Sequence, residues 1–317
     1  MTNQQLTIKS QNFGIEIEMT GITRKQAAEA VAKLLGTSAL YVGGTYGKWT
    51  VKDNQSRTWT LMSDGSIKKE KKTGRKQYEL TTEYEYSVEL VSPILKYTDI
   101  ELLQDIVRVI RKAGAKVNSS CGIHVHVDGA NHTSRSLRNI LNIIASKEDL
   151  IYTALQVESS REENYCKKVR TAVLEKINKV KPSSIAAIGR IWYEEQGEDF
   201  NLAQHDHYNN TRYSALNLHA VWYKGTVEFR LFNSTLHAGE VKSYLQFALA
   251  ISAQAITQKS ASSKKTRSTN EKYTFRTWLL RLGLIGEEFE TARGHLLKNL
   301  EGDVAWRHGN PLQQAAV

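Results

Sequence analysis

The stretch "NFGIEIEM" (residues 12–19) restricts the fold more than any other part of this chain. Apolar and charged residues alternate, so a strand here puts Ile15, Ile17 and Met19 on one face and Glu16 and Glu18 on the other. Two carboxylates side by side repel, and covering them adds a desolvation cost. The same oddity recurs at Glu89 in "YEYSVELVSPIL" (84–95), which sits among apolar neighbours just before a proline. In "CGIHVHVD" (121–128), His124, His126 and Asp128 share a face opposite Ile123, Val125 and Val127. In "GTVEFRLFN" (225–233), Glu228 and Arg230 lie opposite Val227, Phe229 and Leu231. One such strand is ordinarily half exposed. Several that carry Glu, His or Arg, where Ser, Thr or Lys would serve, imply a sheet with one face on the core and the other lining a charged cavity. Oxygen-rich clusters of this kind hold Mg²⁺ or Mn²⁺, and a histidine nitrogen is tolerated. A cation would neutralise the Glu16/Glu18 repulsion, nucleotide phosphates would complete its coordination, and Arg230 would face the phosphate charge.

Around these strands the pattern predicts an α+β fold with a mainly antiparallel sheet, since no regular β–α alternation or repeat occurs. A first strand spans 12–20. Helical spacing follows over 23–36, with Thr23 as N-cap and Gly36 as the stop. Strands are expected at 48–51, 57–63 and 78–91, with the lysine-rich "SDGSIKKEKKTGRK" as an exposed turn. An amphipathic helix is predicted over 98–114, a strand over 122–128, mostly helix over 134–180, and a strand pair around "YKGT" within 212–234. A helix apolar around much of its circumference fills 236–257. The polar, basic stretch 257–272 reads as a linker. The expected division is a catalytic domain over 1–256, with a mostly helical segment at 134–200, then the linker and a short helical extension over 273–317.

Composition narrows the class. Lys and Arg exceed Asp and Glu, 43 − 33 = +10, which favours anionic partners such as nucleotides or nucleic acid. No run is long and apolar enough for a membrane span, so no membrane partner is expected. The N-terminus lacks a signal-peptide core. With only Cys121 and Cys166 there is no disulfide framework to expect, and a reducing cytoplasm is the expected location.

Taken in order, "FGIEIE", "W..MSDGSI" (59–67), "ELVSP" (89–93), "CGIHVHV", "SREENYC" (160–166), "RYSALNL" (212–218) and "TVEFRLFNSTL" (226–236) resemble the amidoligase family. These are carboxylate–amine ligases related to glutamine synthetase and glutamate–cysteine ligase. The resemblance runs from about residue 12 to 250. It implies a curved antiparallel sheet with helices on one side, whose concave face binds ATP and Mg²⁺. It also implies an ATP-dependent carbon–nitrogen ligase that activates a carboxylate as an acyl phosphate for attack by an amine. By position, Glu16, Glu18, Glu89, Glu228 and His124 are the implied metal ligands. Arg230, with His124 and His126, faces the nucleotide phosphates, and Arg230, Glu228 and His124 are the implied catalytic residues. Asp64, Ser66, Arg161, Asn164, Arg212 and Asn233 are the implied substrate-binding residues, the partners being a small-molecule or peptide carboxylate and an amine. Phosphoryl transfer needs positioning and charge neutralisation rather than a Ser or Cys nucleophile.

Two other readings compete. The His124/His126/Asp128 cluster resembles the H-x-H-x-D of zinc hydrolases, although such a reading leaves Glu16, Glu18 and Glu228 without a role. The run 259–281 mixes Lys and Arg with Tyr273, Phe275 and Trp278, which suits nucleic acid. Relief of acidic repulsion further predicts that Glu16→Gln and Glu228→Gln leave stability near or above the parent value.

Overall fold

The computed structural model describes residues 3–75 and 77–307; Met1, Thr2, Lys76 and the end of the expected extension, 308–317, lie outside it. Ten strands are described: β1 (Phe13–Met19), β2 (Ala39–Gly43), β3 (Lys48–Lys52), β4 (Thr58–Met62), β5 (Glu70–Gly74), β6 (Gln77–Leu80), β7 (Val88–Val91), β8 (Gly122–Asp128), β9 (Leu216–Asn217) and β10 (Thr226–Asn233). Eight of them form one sheet in the order β2-β3-β4-β7-β1-β8-β10-β9, antiparallel at every pairing. The fold is α+β, as the patterning predicts.

Twelve helices are described among these residues. They are α1 (Asn3–Ser10), α2 (Arg24–Leu35), α3 (Ile100–Lys112), α4 (Ser134–Leu155), α5 (Ser159–Asn164), α6 (Thr171–Val180), α7 (Ile185–Glu194), α8 (Phe200–Ala203), α9 (His219–Tyr223), α10 (Ala238–Thr257), α11 (Glu271–Arg281) and α12 (Glu290–Leu297). The expected start and stop of α2 hold in detail. Thr23 and Gln26 close a reciprocal capping box, and Gly36 takes the left-handed conformation at φ 66°. Helices α2, α3, α4 and α10 pack over the side of the sheet that carries Ile15, Ile17, Val125 and Phe229, all fully buried or nearly so.

Four segments depart from expectation. The stretch 78–91 is two strands of different sheets, β6 and β7, divided by a helical turn at Tyr84–Tyr86. Arg24 causes the break: its buried guanidinium takes hydrogen bonds to the carbonyls of Tyr84 and Ser87 at 2.7 and 2.8 Å, which an extended strand could not offer together. The lysine-rich turn instead contributes β5, paired with β6 and tied down by Lys116 on Glu70 at 2.6 Å. Strand β2 was not legible, because it is a sheet edge with Leu40, Tyr41 and Val42 all exposed. Around "YKGT" only the second strand is long; before it the chain makes the single turn α9, which leaves the two-residue β9 as partner to β10.

The basic stretch after α10 has no regular structure up to Asn270, yet it lies on α4. Thr266 donates its backbone N–H to the Ser146 carbonyl at 2.9 Å, and Lys265 pairs with Glu148 at 2.9 Å. Beyond it α11 inserts Phe275 and Trp278 against Phe247 of α10, with ring centroids 5.4–6.0 Å apart. Phe275 and Trp278, two of the three aromatic residues a nucleic-acid surface would use for stacking, are therefore in the core, and Tyr273 is half-buried.

Candidate active site

Register builds the site. Across the sheet Glu18 faces Glu89, Glu16 faces His124, and His126 faces Glu228. The buried apolar face fixes that register, since a one-residue slip would turn every one of these groups into the core. Segment 158–165 and the chain from 205 to 224 border the polar face, so even Glu228 and Arg230 are only 3% and 5% exposed.

His124 Nδ1 lies 3.1 Å from Glu16 Oε2 and 3.7 Å from Glu228 Oε1, while its Nε2 is 3.9 Å from Glu18. His126 Nε2 is 3.3 Å from Glu16 and 3.8 Å from Glu228, and its Nδ1 meets the Thr226 hydroxyl at 2.9 Å. Arg230 Nη1 donates to Glu228 Oε1 at 2.6 Å, and Asn217 Nδ2 donates to the other oxygen at 2.6 Å. Lys224 donates to Glu16 at 3.0 Å, and the Gly122 N–H to Glu18 at 2.6 Å.

The four carboxylates differ in kind. Burial raises all of them, but Arg230, then His126 and His124, outweigh it and hold Glu228 low. Glu16 is likewise held low against its burial by His126, His124 and Lys224. Glu18 has no such cation in contact: burial and the Asp64 charge push it up to about 7. Glu89 is raised further, by burial and then by Glu16, Glu18 and Asp64. Burial and the Arg230 charge lower His124 to about 4, so its ring is neutral at pH 7. With Glu16 able only to accept, Nδ1 carries the proton, and Nε2 keeps its lone pair toward Glu18.

These groups suit a hard divalent cation. Two sets, Glu16–His124–Glu228 and Glu18–Glu89–His124, each bring three ligand atoms within 4.8 Å of one another. His124 cannot serve both through Nδ1 and Nε2 in one tautomer. Glu18, Glu89 and Nε2 form the set with an unused lone pair and two opposed carboxylates that no protein cation neutralises. His126 Nε2 is buried and makes no hydrogen bond of good geometry, although Glu16 lies 3.3 Å from it. Carboxylate oxygens with one or two imidazoles match Mg²⁺ or Mn²⁺. Asp128 stays out of both sets, because its carboxylate accepts from Asn12 and from the Ala130 N–H. The three-residue zinc arrangement of the hydrolase reading is therefore not assembled.

A cavity of about 300 Å³ opens beside the cluster and is lined by Asp64, Ser66, Arg161, Arg212 and Arg230 together with Glu18 and His124. Asp64 Oδ1 accepts from the Ser66 N–H at 2.7 Å, which shapes that turn. Arg161 packs over Gly122, where a Cβ would come within 2.3 Å of the guanidinium; glycine there is required by close approach. Asn164 and Asn233 are not brought to this cavity. Asn164 is exposed and bonds Ser160 at 2.8 Å, and Asn233 fixes the chain at Gln156 and Glu158. A second cavity of about 460 Å³ lies on the other side, between Gly14, Ser92, His126 and Thr226. Sequence reasoning missed Lys224 and Asn217. Lys224 sits in a short connection two residues before "TVEFR" and Asn217 in the two-residue β9, inside "RYSALNL"; neither segment is long enough to show a periodicity.

A family described as "Putative amidoligase enzyme" has a sequence model that matches residues 9–252. No curated protein matches the chain. Among solved structures, a bifunctional glutathione synthetase from Pasteurella multocida is similar at 13% identity and a TM-score of 0.36. The match covers 94% of this chain and 48% of that one, so the chain spans about half that protein's length.

Proposed function

The chain belongs to the amidoligase family, and on that premise we propose that it is an ATP-dependent carboxylate–amine ligase forming an amide bond through an acyl phosphate. One observation carries the reading: four strands place Glu16, Glu18, Glu89, His124, His126, Glu228 and Arg230 on one buried sheet face. The resemblance to glutamine synthetase and glutamate–cysteine ligase, with their curved sheets, belongs to the same proposal.

In this reaction a carboxylate oxygen attacks the γ-phosphorus and ADP leaves. The amine nitrogen then attacks the acyl carbon, phosphate leaves, and an amide remains. Mg²⁺ or Mn²⁺, held by Glu16, Glu18, Glu89, His124 and Glu228, would supply charge neutralisation for the triphosphate. Arg230 presents its planar guanidinium to phosphate oxygens; Glu228 holds it in place, and Asn217 in turn holds the other oxygen of Glu228. Neutral His124 donates from Nδ1 to Glu16, which keeps that carboxylate oriented. Arg161 and Arg212 give the adjoining cavity positive charge for a carboxylate, and Asp64 suits an amine.

Phosphate release tests the proposal: ATP and Mg²⁺ with pooled amino acids and amines, followed by mass analysis of the product. Amide formation coupled to ADP release is expected. Tightly held zinc with hydrolysis that needs no nucleotide would sink the ligase reading.

A further inference from the structure

A larger polar cavity lies elsewhere, between α4, the end of α10 and α11. It measures about 670 Å³ and shares no lining residue with the cavities at the charged sheet face. Its floor is α4 and the end of α10; its walls are the stretch after α10, α11 and Arg307. Most of it is built from residues beyond the family match.

Five cations converge there: Lys147, Lys264, Arg267, Arg281 and Arg307, with no acidic side chain in the lining. Among the described residues none of the five forms an ion pair. Neighbouring Lys265 shows that acids were within reach, because it turns away to Glu148 and Asp149. Lys147 stands over the Trp278 ring at 5.9 Å, and its burial, together with the Arg281 charge, weakens its hold on its proton. The Thr266 hydroxyl accepts from Lys147 and the Ser262 hydroxyl from the Lys264 N–H, which ties two of these cations to the cavity wall. Collected like charges repel until an anion fills the space between them. A single sulfate cannot match five cations, whereas a chain of phosphates can. Trp278 is only 6% exposed and Tyr273, the other aromatic in the lining, is half-buried, too little open ring surface for a run of stacked bases.

We propose that this cavity binds a soluble oligophosphate, a triphosphate chain either free or carried on a nucleoside. Isothermal titration of the full chain with inorganic tripolyphosphate, without divalent metal, reads the site. Affinity should fall about tenfold or more in Lys147→Gln/Arg281→Gln, and equally in Lys264→Gln/Arg267→Gln, whose exposed side chains leave folding untouched. GTP titrated alongside assigns the source: equal affinity means the chain alone is read, and about tenfold tighter binding means a nucleoside triphosphate. The proposal is overturned if the parent does not bind tripolyphosphate, or if both double variants bind like the parent. It is equally overturned if sulfate binds as well, or if a single-stranded RNA binds more tightly through the same lysines and arginines.

Discussion

At the scale of single residues, acidic groups on one sheet face do not behave as one repelling set. Glu228 is paired with Arg230 and buried, so Glu228→Gln leaves a buried guanidinium without its partner. We expect a loss of about 3 kcal/mol in denaturant unfolding, against the stabilisation that simple repulsion predicts. Glu89 is the acid that does destabilise, and Glu89→Gln should raise the melting temperature of the metal-free protein by about 2 °C or more. Its pH signature follows from the same shifts. Raised Glu18 and Glu89 bind protons more tightly folded than unfolded, so their contribution is full below the usual carboxylate range and is lost as pH rises, through about 7 for Glu18. Glu16, Glu228 and His124 are all shifted down and have finished titrating by then. In chelator, the stability of the parent relative to Glu89→Gln should fall as pH rises out of the usual carboxylate range, and Mg²⁺ or Mn²⁺ should reverse the fall; a difference that does not change with pH would contradict these assignments. Arg230→Lys keeps the charge but loses the fork. It should bind nucleotide within about tenfold while amide formation falls about a hundredfold or more. Parental turnover with a confirmed substrate pair would remove Arg230 from phosphate stabilisation.

At the scale of elements, the helices after residue 256 pack as part of the core rather than as a tethered tail. Phe275, Trp278, Leu279 and Leu282 join the same hydrophobic cluster as Phe247 and Leu249. Phe275→Ala should therefore cost about 3–5 kcal/mol, read as a single shifted unfolding transition. A separate early transition for the C-terminal helices, with the main one unmoved, would instead make 273–307 an independent extension. The strand β10 shows how a local irregularity serves the site. Its pairing with β8 shifts register between Phe229 and Phe232, and Arg230 lies within that interval, its backbone N–H bonded to Ala215 at 2.8 Å. A bulge re-aims a side chain, and here the guanidinium reaches back to Glu228 instead of standing clear of it along the strand.

At the scale of the whole molecule, α2, α3, α4 and α10 occupy one side of the sheet and the charged cluster the other, bordered by α5 and α9, and among the described residues no helix is long and apolar enough to cross a membrane. If the cluster is a cation site for nucleotide, calorimetry should show ATP affinity collapsing when Mg²⁺ is withdrawn; equal affinity in EDTA excludes that reading. Period-two alternation determined which residues of β1, β8 and β10 share a face, because strand geometry leaves an alternating sequence no other arrangement that buries its apolar half. Capping chemistry likewise determined both ends of α2. These are local properties, settled within a few residues of chain. Strand order was not local, so nothing in "GIEIE" alone says that Glu18 meets Glu89 while Glu16 meets His124. That choice sends two carboxylates down in proton affinity and two up. Only tertiary structure decided that Lys224 reaches Glu16, that Asp128 turns to a capping role, and that Phe275 and Trp278 enter the core. Each of these depends on charges or apolar surfaces brought together across long stretches of chain, where desolvation and Coulomb energy act through space rather than along the sequence.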